Sequence, residues 1–172
     1  MKALVVYESM FGSTEAIARA IADGLAGQAS VEVVNVDDAP DNLDGVDLLV
    51  VGGPTHVHGM SRASTRQSAE QQATEPVHSH TGIRDWLGSL PPAPAGLRAV
   101  AFDTRIDKPR WLVGSAAHGA RKLLHQHGYP VLAEPESFFV IGSGEEGLAA
   151  GEQDRARTWA QSLPAKAVLR QQ

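Results

Sequence analysis

The sequence contains no cysteine. That excludes a disulfide, a thiolate nucleophile and any cysteine-ligated metal site. It also contains no run of about 18 apolar residues, so no membrane-spanning helix is expected. The apolar run behind Met1-Lys2 stops at Glu8 with no small-residue cleavage site after it, which does not read as a signal peptide. Together these absences give an expected cytoplasmic location. Positive charge is in deficit: 15 Lys and Arg stand against 20 Asp and Glu, a formal net charge of −5. That balance argues against a nucleic-acid partner. No Ser-His-Asp arrangement or other nucleophile–base pair can be read, which disfavours hydrolysis.

What remains is a chain of 172 residues, 42% hydrophobic and 20% charged, suited to one domain with a packed core. Apolar runs alternate with helical patterns along its length. Strands are expected at Lys2–Tyr7, Val31–Val36, Val46–Gly52, Leu97–Phe102 and Glu136–Ile141. The third is largely apolar, as a strand buried on both faces should be. Helical spacing runs from Glu15 to Leu25, from Leu112 to His127 and from Glu152 to Leu163. Such alternation means an α/β fold with a parallel sheet and helices on both faces.

Three loops follow strands at the edge where such sheets bind ligands. The first is Ser9-Met10-Phe11-Gly12-Ser13-Thr14, which leads into a helix. Backbone N–H groups and the positive end of the helix dipole favour an anion there, and hydroxyls can donate to phosphate oxygens. It has no Lys, which excludes a nucleoside-triphosphate loop. A neutral, hydroxyl-lined turn suits a single phosphate monoester. The same residues also fit an ordinary helix N-cap, with Ser13 or Thr14 as the cap. The second loop begins Gly52-Gly53-Pro54-Thr55-His56-Val57-His58-Gly59. Gly52 and Gly53 permit close backbone approach to a planar ligand, and Pro54 stiffens the turn. The third is Asp103-Thr104-Arg105-Ile106-Asp107-Lys108.

The first loop resembles the phosphate loop of flavodoxins, Thr/Ser-x-Thr-Gly-x-Thr. The first hydroxyl, the Gly and the last Thr match, and Phe11 replaces the middle hydroxyl. Gly52-Gly53-Pro54-Thr55 resembles the start of the flavin-ring loop in flavodoxin-like proteins and NAD(P)H:quinone reductases, at a matching spacing from the first loop. The resemblance covers nearly the whole chain. It implies a five-stranded, doubly wound parallel sheet of order 2-1-3-4-5 over residues 1–172, and FMN as cofactor. It places the phosphate on Ser9, Met10, Phe11, Gly12, Ser13 and Thr14. The ring would lie on Pro54, Thr55, His56, Val57, His58 and Gly59. The pyrimidine edge would meet Asp103, Thr104 and Arg105, where a cation would stabilise an anionic reduced flavin. Flavodoxins often stack an aromatic residue on the ring. This chain offers His56, His58 and Met60 instead.

The implied function is electron transfer by bound FMN, with a redox partner protein or a small quinone-like acceptor. A second reading is an FMN-dependent NAD(P)H:quinone-type oxidoreductase. A third, kept open by Phe11, is a flavin-free binding module. Residues 61–82 exceed a minimal five-unit chain. They are expected to lie over or beside the flavin, or else to form a plain surface excursion. Trp86 and Trp159 sit at core helix positions, and Trp111 reads as the first buried residue of a helix in preference to a ring stacked on the flavin. His56 and His58, on an extended segment, would face one side, yet no third ligand accompanies them. Gly142-Ser143-Gly144-Glu145-Glu146-Gly147 spells a dinucleotide fingerprint. Its two acids would repel a pyrophosphate and too little chain follows, so it reads as a Gly-rich connection.

Overall fold

The apolar N-terminal run forms β1 (Lys2–Tyr7), flanked in parallel by β2 (Ser30–Asn35) and β3 (Leu48–His56). The coordinates are those of a computed structural model and describe residues 1–142 and 144–169. A two-residue β4 (Gly59–Met60) folds back antiparallel on the end of β3. Beyond β3 lie β5 (Arg98–Ile106) and β6 (Glu136–Val140), both parallel. The order is β2-β1-β3-β5-β6. With the hairpin strand β4 set aside, this is the expected 2-1-3-4-5 order.

Period-two alternation sorts the strand side chains onto two faces. Val5, Tyr7, Val50, Val100, Phe102 and Phe138 join α1 (Ser13–Leu25) and α6 (Glu152–Gln161) in one core. Leu4, Val6, Leu49, Val51, Ala99 and Ala101 join α3 (Ile83–Ser89) and α5 (Ala116–Gln126) in the other. In α1 the four-residue spacing of Ile17, Ile21 and Leu25 puts all three in the core, fully buried. Each such side chain stabilises the fold by roughly 1.5–3 kcal/mol. Phe102, Phe138 and Trp159 pack edge to face, with centroids 6.3 and 5.9 Å apart.

Several boundaries differ from the sequence reading. β3 and β5 run on together past Gly52 and Phe102, pairing Gly53 with Asp103 and Pro54 with Thr104. Lateral pairing there overrides the turn chemistry of the Gly-Gly-Pro run. The helix expected over 112–127 divides into α4 (Arg110–Val113) and α5. Gly114 interrupts it, and the Ser115 hydroxyl caps α5 by accepting the His118 N–H. The closing helix expected over 152–163 ends at Gln161 as α6, and a further helix α7 (Leu163–Leu169) follows it.

The extension forms α2 (Ala63–Gln72), none of whose residues is buried. It is tied down at both ends. The buried Glu8 carboxylate accepts the Ser61 hydroxyl and, at 2.9 Å, the Ile83 N–H. Arg66 donates to Ser61 at 3.0 Å and pairs with Asp85 at 3.1 Å. Asp37 accepts the N–H groups of His80 and Thr81 at 3.0 and 2.7 Å.

Burial pushes the Glu8 carboxyl above its ordinary value. The unfolded chain therefore releases this proton at lower pH than the fold does. The Glu8 contribution to stability falls as pH rises from the ordinary glutamate range through the raised folded value. Over that window the wild type should lose stability relative to Glu8→Gln in urea unfolding at stepped pH. A difference that stays flat with pH would contradict the raised carboxyl.

Candidate functional site

The C-terminal edge of the sheet opens into a cleft of about 370 Å³. The first loop contributes Ser9, Met10, Phe11, Ser13 and Thr14 to its wall. The second contributes Pro54 through His58, and the third Thr104, Arg105 and Ile106. Gly12, Gly59 and Asp103 are not on that wall.

Each of these three has a different local task. Gly12 enters α1 with φ of 98°, which an L side chain adopts only with strain. Its carbonyl accepts the Ala16 N–H at 3.0 Å and closes the first turn. Gly59 pairs with His56 across the hairpin. Asp103 is buried at the start of α5, where its Oδ2 accepts the Ser115 hydroxyl and, at 2.9 Å, the Ala117 N–H. A carboxylate there also complements the helix dipole.

Within the first loop, the Ser9 hydroxyl accepts the Gly12 N–H at 3.1 Å. The Ser13 hydroxyl reaches the Gly144 carbonyl at 3.4 Å. Thr14 and Thr104 join their hydroxyls at 2.7 Å, linking the first loop to the third. The N–H groups that open α1 have no carbonyl partner within the helix. Neutral hydroxyls beside a helix N-terminus form a donor set that fits a phosphate monoester.

The extension does not cover the cleft. None of residues 61–82 lines it. The segment instead supports the first loop from behind. His78 N–H donates to the Met10 carbonyl at 3.1 Å, and Ser9 N–H donates to the buried Ser79 hydroxyl at 2.9 Å. His78 also meets Glu15 at 2.9 Å. Asn35 and Asp37, at the end of β2, hold this segment against the loop. Their hydrogen bonds decide its path, and nothing in its own composition announced them.

Gly52 and Gly53 do not line the cleft either. A Cβ on Gly52 would lie 2.2 Å from Phe102 Cζ, so the close approach is to a core ring. Past Thr55 the chain reverses at Val57 and His58, which take φ of 42° and 72°. A β-branched residue at positive φ is an outlier, and such strain concentrates at functional sites. Val57 is 80% exposed. The reversal ends the extended run, so the shared face expected for His56 and His58 does not form. His56 sits 3.2 Å from the Thr65 hydroxyl, and burial, with the nearby Arg66, lowers its pKa. Among the described residues no group of three His, Cys, Asp or Glu is placed to hold a metal.

Arg105 is the only charged residue on the described wall of the cleft. Its Nη1 donates to the Lys108 carbonyl at 2.7 Å, and its guanidinium lies 5.2 Å from the Phe139 ring centre. Trp111 departs from expectation. It lies in α4 but is 84% exposed, because a four-residue helix has no face long enough to bury. Trp86 is in the core as expected, its Nε1 donating to the Pro40 carbonyl at 3.0 Å.

The cleft also contains residues that the sequence reading passed over: Ile106, Leu112, Val113, Val140, Gly142 and Gly144. The last two belong to the Gly-rich connection, whose Ser143 lies outside the described residues. Its place directly after the last strand was the available signal.

The Flavodoxin family model matches residues 5–83, which include the first two loops. No curated protein matches the chain. Among solved structures, a flavodoxin from the domain Archaea aligns with a TM-score of 0.67 at 19% identity, covering 98% of this chain and 99% of that one. Oxidised flavodoxin 1 from Bacillus cereus gives 0.65 at 17% identity, covering 98% of each. A WrbA-like flavodoxin from Agrobacterium tumefaciens gives 0.58 at 18% identity, again covering 98% of each. Strand order and the likeness to these solved structures give this chain the flavodoxin-like fold, and the Flavodoxin family model matches it over residues 5–83.

Proposed function

We propose that this protein binds FMN in the cleft and carries electrons through it to a partner protein or a small quinone-like acceptor. The observation that supports this most is the donor set of the first loop, open to a cleft at the ligand edge of the sheet. Bound FMN would supply one- and two-electron transfer, while the protein sets its position and electrostatics. The N–H groups opening α1 and the hydroxyls of Ser9, Ser13 and Thr14 would hold the phosphate. Met10, Phe11 and Pro54–His58 would flank the ring, and Thr104 and Arg105 its pyrimidine edge. Gly12, Gly59 and Asp103 would shape these loops without touching the ligand. The setting proposed is the cytoplasm; no helix among the described residues is long and apolar enough to cross a membrane.

The test is the visible spectrum of the purified protein after FMN addition and desalting. A retained flavin spectrum supports the reading. A colourless protein favours a flavin-free binding module.

One observation favours the second reading, an FMN-dependent NAD(P)H:quinone-type oxidoreductase. No carboxylate lines the described wall, and Arg105 does. A cation at a partly exposed site attracts added negative charge by on the order of 1 kcal/mol. Arg105→Ala should therefore make the potential of the second one-electron step more negative by about 40 mV. A redox titration at fixed pH and salt measures this, and an unchanged or raised potential would contradict the role. NADPH oxidation with a quinone as acceptor separates the two readings.

A further inference from the structure

Beside the cleft, on the far side of Arg105, runs a second open groove of about 560 Å³. Arg105, Arg110, Trp111, His118, Pro135 and Phe139 line it. Its charge is not cancelled locally. Neither Arg105 nor Arg110 has a carboxylate within 4 Å among the described residues, whereas Arg19, Arg66, Arg121, Arg155 and Arg157 each do. The one carboxylate on the described wall, Glu136, is paired with Arg155 at 2.8 Å.

A chain of hydrogen bonds orients Arg110. Its Nη1 donates to His118 Nε2, so the ring proton sits on Nδ1 and is donated to the Ser115 hydroxyl at 3.0 Å. Ser115 donates in turn to the buried Asp103. This leaves His118 neutral and the rest of the Arg110 donors without a partner among the described residues. Guanidinium groups in that condition suit the paired oxygens of a phosphate. Trp111 adds a broad aromatic face, 84% exposed, on the same groove. Aromatic faces of this kind stack on planar rings.

We propose that this groove binds a phosphate-bearing nucleotide, with its phosphates on Arg105 and Arg110 and its base on Trp111. The groove shares Arg105 with the cleft assigned to the flavin, but neither Arg110 nor Trp111 lines that cleft.

Calorimetric titration with ADP, adenosine and inorganic phosphate tests it, on protein with and without added FMN. ADP should bind at least about tenfold more tightly than adenosine or phosphate alone, because only ADP engages both halves of the groove. Arg110→Ala and Trp111→Ala should each weaken ADP by about tenfold or more. Both variants should keep the wild-type melting temperature and FMN affinity. No ADP binding at millimolar concentration would overturn the proposal. So would ADP binding that neither variant weakens, which would place the nucleotide elsewhere. Equal affinity for phosphate and ADP would overturn the stacking role of Trp111. Loss of FMN binding alone would overturn the flavin assignment and leave this site standing.

Discussion

Replacing Thr14 by Ala should weaken FMN binding by about ten- to a hundredfold and riboflavin binding far less. Thr14 and Thr104 are both buried at the cleft, their hydroxyls 2.7 Å apart. One of the two hydroxyl protons is used between them. The other remains for a ligand oxygen. Losing a donor to a charged acceptor costs about 1.5–3 kcal/mol, which corresponds to that range of affinity. Riboflavin has no phosphate and so does not draw on this donor. Thr14→Ser keeps the hydroxyl and should retain most of the FMN affinity. Flavin-fluorescence titrations of the two variants with both ligands measure the difference. Equal losses for FMN and riboflavin would contradict a phosphate-binding role for this loop.

Gly52→Ala should cost about 3 kcal/mol of stability or more, at the upper end for overpacking a core. The added Cβ would lie 2.2, 2.3 and 2.4 Å from three atoms along one edge of the Phe102 ring. That ring is fully buried and packed against Phe138, so it has no space to withdraw. Phe102→Ala alone should cost about 3–5 kcal/mol through the cavity it leaves. In the double variant the new methyl enters that cavity. The combined loss should fall short of the sum by about 0.5–3 kcal/mol. Urea unfolding of the three variants measures the coupling. Additive losses would contradict the packing account. If a ligand needed Gly52 instead, the substitution would reduce FMN affinity with little loss of stability.

The Gly52 case shows where the sequence was legible and where it was not. Repeating apolar runs in β1 and β3 and the four-residue spacing in α1 are local signals that locate strands, helix and first loop, while the strand order follows from the resemblance to flavodoxins. The first loop is legible as the proposed phosphate site, since its hydroxyls and the helix behind it are contiguous in the chain. Side chains that meet only across the fold were not legible. Gly52 serves Phe102, fifty residues away, and Asp103 serves the N-terminus of α5. The place of the extension after the ring loop left two readings open, cover for the flavin or a plain surface excursion. Asn35, Asp37 and Glu8 draw it to the back of the first loop instead. Trp111 looked like a core residue from its chemistry. Gly114 ends its helix after one turn and leaves the ring in solvent. Gly142 and Gly144 were set aside with the rejected dinucleotide motif, although their place after the last strand brings them to the cleft.

Amide chemical-shift mapping during an FMN titration tests whether FMN occupies this cleft. Perturbations should concentrate in residues 9–14, 55–58, 104–106 and 140–144, with residues 61–72 unmoved. Riboflavin should reproduce the changes at residues 55–58 and 104–106 but not the full changes at residues 9–14. Perturbations centred outside these loops, or none at all, would contradict FMN binding in this cleft.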